Sequence, residues 1–124
     1  MATKFYKCNH CGNVIEKIVD SKVPVFCCGE KMEELVPNTV EASGEKHIPV
    51  VTHLQDNILK IEVGSVHHPM LPEHHIAFIY VETEHGGIRI DLKDQPVAVV
   101  HLGEEKAVAV YEYCNLHGLW KVEL

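Results

Sequence analysis

Residues 111–120 read YEYCNLHGLW and place Cys114 and His117 three positions apart, just after an alternating apolar run ends. A thiolate and an imidazole at that spacing can grip one metal ion from a single loop. Two further stretches carry donors of the same kind: His47 in EKHIPV, and the crowded HHPMLPEHH of residues 67–75. Together the three stretches point to one histidine-rich site with a single thiolate. A second, separate donor set lies near the N-terminus. Cys8 and Cys11 form a CxxC knuckle followed by Gly12, while Cys27 and Cys28 are adjacent and followed by Gly29. Glycine after the second cysteine allows the tight turn whose backbone amides face thiolate sulfur.

Between the two cysteine pairs, Val14, Ile15, Ile18 and Val23 supply only a minimal core. A module that small needs a staple, and a four-thiolate metal site is the natural one. Structural zinc is the plain occupant and a one-electron iron centre the sharper one. The adjacent pair Cys27–Cys28 cannot repeat the knuckle, so its angles at a metal should depart from regular tetrahedral. A vicinal disulfide is a third and poorer option, because its ring strains the intervening peptide.

For the histidine-rich set, one cysteine with several histidines suits iron, copper or zinc. Zinc closes with four ligands, yet five are on offer. A blue-copper site would need an axial methionine shortly after the Cys–His loop, where Gly118-Leu119-Trp120 supplies none; Met70 is the nearest candidate. Four imidazoles and one thiolate fit iron better. The nitrogens can fill a plane, the thiolate takes one axial position, and the sixth stays open for inner-sphere chemistry with a small ligand. Spacing alone leaves His67 exchangeable with His68, and His75 with His74. His10, His53, His85 and His101 read as surface or turn residues.

These donors need elements that bring distant segments together. After Pro37 the pattern is strand-like. Pro49–Leu54 and Ile58–Val63 alternate around Gln55-Asp56-Asn57, and residues 76–82 are β-branched and aromatic. A turn at Glu84-His85-Gly86-Gly87 leads into the period-two stretch 88–92, and stretches 97–102 and 107–113 follow. Roughly seven short strands, six of them the stretches named, with regular turn signals predict an antiparallel β-sandwich with little helix. The histidines fall in its connections, where a rigid scaffold lets ligands converge. Pro69 and Pro72 stiffen the loop carrying two of them.

The totals set further bounds. A chain of 124 residues is one domain, or one small domain and a smaller module. A net charge of −7 argues against nucleic acid or an anionic membrane surface as partner, though not against a small anion at a locally positive site. No basic segment followed by an apolar run opens the chain, and no apolar stretch approaches the ~20 residues of a membrane span. A reduced, cytoplasmic protein is the expectation, in which the five cysteines hold metal more readily than they form disulfides, and ten histidines exceed ordinary usage.

The CxxC and CC pairs, followed in order by EKHIPV, HHPMLPEHH and YCNLHGLW, closely resemble the desulfoferrodoxins, two-iron superoxide reductases. The resemblance covers nearly the whole chain and implies an all-β protein. Residues 1–37 would form a desulforedoxin-like module, and residues 38–124 an immunoglobulin-like β-sandwich with the catalytic site. It implies two irons per chain, the first held by Cys8, Cys11, Cys27 and Cys28. The second, catalytic iron would be held by His47, His68, His74 and His117 in the plane with Cys114 axial. The family's His-Pro-Met motif picks His68 over His67, and its spacing to the next ligand picks His74 over His75. The implied activity is one-electron reduction of superoxide to hydrogen peroxide without oxygen evolution. Lys46 would attract the anion and order water for protonation, and Glu45 would ligate the resting ferric iron. On charge alone, Glu45-Lys46 is a solvated pair of opposite sign. A rubredoxin-like electron donor and a homodimer are also implied, with no nucleic acid and no membrane as partner.

Overall fold

A computed structural model describes residues 3–42 and 44–124 and divides the chain into two compact units, Met1–Val36 and Pro37–Leu124. Among the described residues, no helix is long and apolar enough to cross a membrane.

The first unit holds five short strands: β1 (Phe5–Lys7), β2 (Val14–Glu16), β3 (Phe26–Cys27), β4 (Glu30–Lys31) and β5 (Glu33–Leu35). β1 is central in an antiparallel sheet of order β2-β1-β5, and β3 and β4 form a separate hairpin. Phe5, Cys8 and Met32 are its buried apolar residues. The sequence reading placed Ile18 and Val23 in this core, but they are 83% and 62% exposed. Both lie in the connection between β2 and β3, outside any ladder that could turn them inward. With so little apolar burial, the cysteine cluster is what can hold the unit together.

The second unit opens with a single helical turn, α1 (Gly44–His47), and continues through seven strands. These are β6 (Pro49–Leu54), β7 (Ile58–Val63), β8 (Ile76–Thr83), β9 (Gly86–Asp91), β10 (Val97–His101), β11 (Ala107–Cys114) and β12 (Gly118–Glu123). They form two antiparallel sheets, β10-β7-β6 and β12-β11-β8-β9. The layering is that of an immunoglobulin-like sandwich, the fifth strand crossing over to pair with the second. A one-turn 3-10 segment, Gln55–Asn57, joins β6 to β7 with Asp56 and Asn57 in the left-handed region, which Asp and Asn tolerate best. The turn between β8 and β9 is shorter than its sequence suggested: Gly86 and Gly87 belong to β9, leaving Glu84-His85 as the connection.

Alternation fills the space between the sheets. Leu59, Ile61 and Val63 of β7, with Ala98 and Val100 of β10 beside them in the same sheet, pack against Ile79 and Val81 of β8 and Val110 and Cys114 of β11, all buried. This antiparallel order puts the start of β6, the end of β7, the start of β8 and the β11–β12 hairpin at one end of the sandwich. The segments leaving that end carry His47, His68, His74, Cys114 and His117.

Candidate metal centres

Cys114 is the root of the larger site. It ends β11 fully buried, directly after a register shift in which Tyr113 pairs with Phe78 but Cys114 pairs with Ile76. The extra residue, Ala77, lies in β8, so β11 keeps its alternation through Cys114. Only Asn115, Leu116 and His117 separate it from its partner Gly118, so the tight hairpin brings His117 back beside the sulfur. His117 Nδ1 stands 3.8 Å from Cys114 Sγ and His68 Nε2 3.4 Å from it. His68 is anchored twice: its amide donates to the carbonyl of Val63 at the end of β7 (2.8 Å), and its Nδ1 lies 2.8 Å from the carbonyl of Pro69. That second contact fixes Nε2 as the inward nitrogen. His47, at the end of α1, is buried and stacks on Trp120, with ring centroids 4.8 Å apart. Trp120 Nε1 in turn donates to the carbonyl of His117 (3.2 Å).

The four imidazoles close into a ring of neighbours. Centroids are 4.6 Å apart for His47–His68, 4.5 Å for His68–His74, 5.1 Å for His74–His117 and 4.9 Å for His117–His47, each pair edge to face. His47 Nε2 lies 3.1 Å from His68 Nε2 and 3.2 Å from His117 Nδ1. The centre of a square with those edges is about 2.2 Å from each corner, close to the ~2.1 Å of an imidazole–metal bond. All five donors lie within 4.8 Å of one another.

The electrostatics agree with this geometry. Burial, reinforced by the neighbouring imidazoles, drives His68 down to about 4 and lowers His74 in the same way. Both are therefore neutral at pH 7, as ligation requires. Burial raises the Cys114 thiol, while the amides of His117 and Leu116 facing the sulfur pull it back down. His74 Nε2 is buried without a hydrogen-bond partner. A cation at the centre of the ring satisfies that nitrogen and favours the thiolate, so the donor set fits a metal.

The neighbouring histidines are turned away. His67 pairs with Glu62 (2.9 Å), and His75 Nδ1 lies 2.9 Å from the carbonyl of Leu71. Met70 packs against the apolar core. His10, His53, His85 and His101 are exposed, His85 within 3.2 Å of Glu105. Glu45 and Lys46 are exposed on α1, and the Lys46 charge is felt at His74. The turn carrying them is held from beneath: the Glu45 carbonyl accepts from the Val66 amide (3.0 Å) and the Ser65 hydroxyl (3.2 Å). Gly64 permits that approach, since a Cβ there would come within 2.5 Å of the Glu45 carbonyl oxygen. Sequence reasoning passed over both Gly64 and Trp120. Trp120 had a usable signal in its place within the ligand motif, whereas the Gly64 contact spans two loops.

The second cluster joins Cys8, Cys11, Cys27 and Cys28. Cys11 and Cys27 sulfurs are 3.6 Å apart, and those of Cys27 and Cys28 are 4.0 Å apart. These bracket the ~3.8 Å edge of a tetrahedron with ~2.3 Å metal–sulfur bonds. All four cysteines are free, so the adjacent pair is not a disulfide. Gly12 and Gly29 adopt the positive φ foreseen for them (85° and 76°), and Cys28 is left-handed as well (φ 55°). The vicinal pair thus turns at a non-glycine residue, in place of the regular knuckle. The Cys11 amide, 3.4 Å from Cys8 sulfur, is the main cause lowering that thiol to about 6. The neighbouring sulfurs of Cys11 and Cys8 push Cys28 up to about 12. Cys27 and Cys28, raised by the neighbouring sulfurs, become thiolates readily only with a cation among them.

The chain is similar to known proteins over nearly its whole length. The desulfoferrodoxin family model matches residues 39–123. A desulfoferrodoxin of Syntrophotalea carbinolica is 42% identical over 120 residues, covering 95% of this chain and 94% of the relative. One from Nitratidesulfovibrio vulgaris is 40% identical over 122 residues, covering 97% and 95%. The crystal structure of the superoxide reductase from Treponema pallidum superposes with a TM-score of 0.82 at 32% identity, over 99% of this chain and 100% of that one. The four-cysteine and four-histidine, one-cysteine clusters are consistent with two iron centres. With that similarity running from end to end and both clusters assembled, the chain belongs to the desulfoferrodoxin family.

Proposed function

We propose that the chain is a superoxide reductase, converting superoxide to hydrogen peroxide with one electron and two protons and without releasing oxygen. The observation that carries this reading is the closed ring of four imidazoles backed by the buried thiolate of Cys114. Five protein donors leave one of six positions to a small ligand, where a closed zinc site would leave none. When bound, a ferrous ion in this ring supplies the electron and an open position for a small anion.

The chain's own residues do the rest. His47, His68, His74 and His117 would hold the ion, and His68 and His74, lowered by burial, are neutral at pH 7. Cys114 would add a thiolate donor whose negative charge favours the oxidised ion. Lys46 supplies the positive potential that draws an anion toward a protein of net charge −7, and orders water to protonate the product. Glu45, beside it on α1, would offer a carboxylate as a further ligand to the resting ion. The first unit, residues 1–37 in this reading, serves as an iron-stapled module, and residues 38–124 carry the chemistry. A rubredoxin-like electron donor, a homodimeric assembly and a cytoplasmic setting belong to the same proposal. Its support is the similarity to proteins named superoxide reductase.

The test is peroxide formed per superoxide consumed by pre-reduced protein under anaerobic conditions. One peroxide for each superoxide is expected. Half that yield with oxygen evolved would make it a dismutase, and no consumption would remove the enzyme reading.

A further inference from the structure

Four of the five donors in the larger site have a visible anchor. Cys114 is rooted in the core, His68 is held at its amide and its Nδ1, His47 lies against Trp120, and His117 sits in the tight hairpin whose carbonyl Trp120 holds. His74 lies outside the strands, in the loop between β7 and β8 that also carries Pro69 and Pro72. Its own backbone pairs only with Leu71 across the same loop, at 2.9 and 3.1 Å. That self-pairing leaves the backbone around His74 to be tied to the sandwich by other contacts, as His68 and Met70 tie the earlier part of the loop.

The tie to the sandwich comes from the residue between Cys114 and Leu116. Asn115 Oδ1 accepts from the amide of His75 (2.8 Å), and its Nδ2 donates to the carbonyl of Glu73 (3.1 Å). The Asn115 amide adds a third bond, to the carbonyl of His75 (3.2 Å). One carboxamide thus grips the peptide groups on both sides of His74 and ties them to the hairpin carrying Cys114 and His117. We propose that Asn115 is a positioning residue for His74, setting the fourth corner of the imidazole ring against the thiolate. A carboxamide is the side chain suited to this, since it offers an acceptor and a donor on one rigid plane to a backbone N–H and C=O. The inference rests on the five-donor centre and not on the identity of the substrate.

The experiment follows iron leaving the larger centre of the fully loaded protein toward a ferrous chelator under anaerobic conditions. Asn115→Ala should speed release by roughly ten- to a hundredfold, the usual effect of removing an outer-shell partner. Asn115→Asp keeps the acceptor for the His75 amide but loses the donor to Glu73, so it should fall between and serves if the alanine variant does not fold. A cobalt-loaded Asn115→Ala protein should show several-fold stronger visible ligand-field absorption as five donors become four. The deciding measurement is the cycle with His74→Ala. In that background Asn115→Ala should change release by less than about twofold, because the donor it acts through is gone. Equal acceleration with and without His74, or none in either background, would overturn the proposal. A His74→Ala protein that itself releases iron at the wild-type rate would remove both the proposal and the five-donor centre, while a superoxide assay that failed would leave it standing.

Discussion

Gly64→Ala tests how α1 is set against the site. The new Cβ would lie 2.5 Å from the Glu45 carbonyl oxygen and 3.0 to 3.1 Å from the carbonyl carbons of Lys46 and Glu45. Ordinary contact begins at 3.4 Å, so the backbone of 45–46 must retreat by about 0.9 Å, with no flexible side-chain tip to yield instead. Overpacking of that kind costs about 1–3 kcal/mol. His47 shares the helical turn with Glu45, and the turn is closed by the Ile48 amide donating to the Gly44 carbonyl, so the imidazole moves with it. Metal–ligand distances tolerate only ~0.2 Å. A shift several times larger should cost on the order of a hundredfold in turnover, together with faster iron loss. Superoxide decay, chelator-monitored iron release and urea unfolding measure the three effects. Gly86→Ala is the control, because a Cβ there meets nothing within 4 Å. A Gly64→Ala protein with wild-type turnover and iron retention would refute the idea that this close approach sets His47.

Glu112 is fully buried in β11, both its carboxylate oxygens lack a hydrogen-bond partner, and burial raises it to about 9. The folded state therefore keeps a proton that the unfolded state releases above the ordinary value of 4.5. Its stability cost is absent below that value, grows as pH rises, levels off near 9, and is about 3 kcal/mol at pH 7. The stability difference between wild type and Glu112→Gln, followed by urea unfolding of the iron-loaded proteins, should widen from pH 5 to 9. A flat difference would mean that the carboxyl is not held neutral. Trp120→Phe removes the donor to the His117 carbonyl and part of the stack on His47, and should lower stability by about 2 kcal/mol and quicken iron release, as calorimetry and the chelator assay would read. Cys8→Ser removes one donor of the first cluster and should abolish its visible thiolate–iron absorption. All five donors of the larger site lie in residues 37–124, so peroxide yield from pre-reduced protein should persist, and its loss would indicate that the first centre relays electrons.

Both donor sets were legible in the sequence because each is anchored by short-range spacing. A CxxC knuckle, a CC pair and a C-x-x-H loop constrain their own geometry wherever they sit. Period-two alternation with turn residues between likewise pointed to six of the seven strands and to a sandwich, since only one pleated face can be buried, whereas β12 was hidden inside the ligand motif. Other features needed the fold. His67 and His68, like His74 and His75, are equivalent by spacing, and only the path of the loop turned His68 and His74 inward while Glu62 and the Leu71 carbonyl took their neighbours. Ile18 and Val23 look like core residues but fall where no ladder turns them in. Gly64 beneath Glu45, Trp120 over His47, and Asn115 astride His74 are contacts between segments far apart in the chain or across a hairpin. Sequence spacing determines which groups share a loop, whereas strand pairing and packing decide which loops meet and which side chain of a neighbouring pair faces the metal.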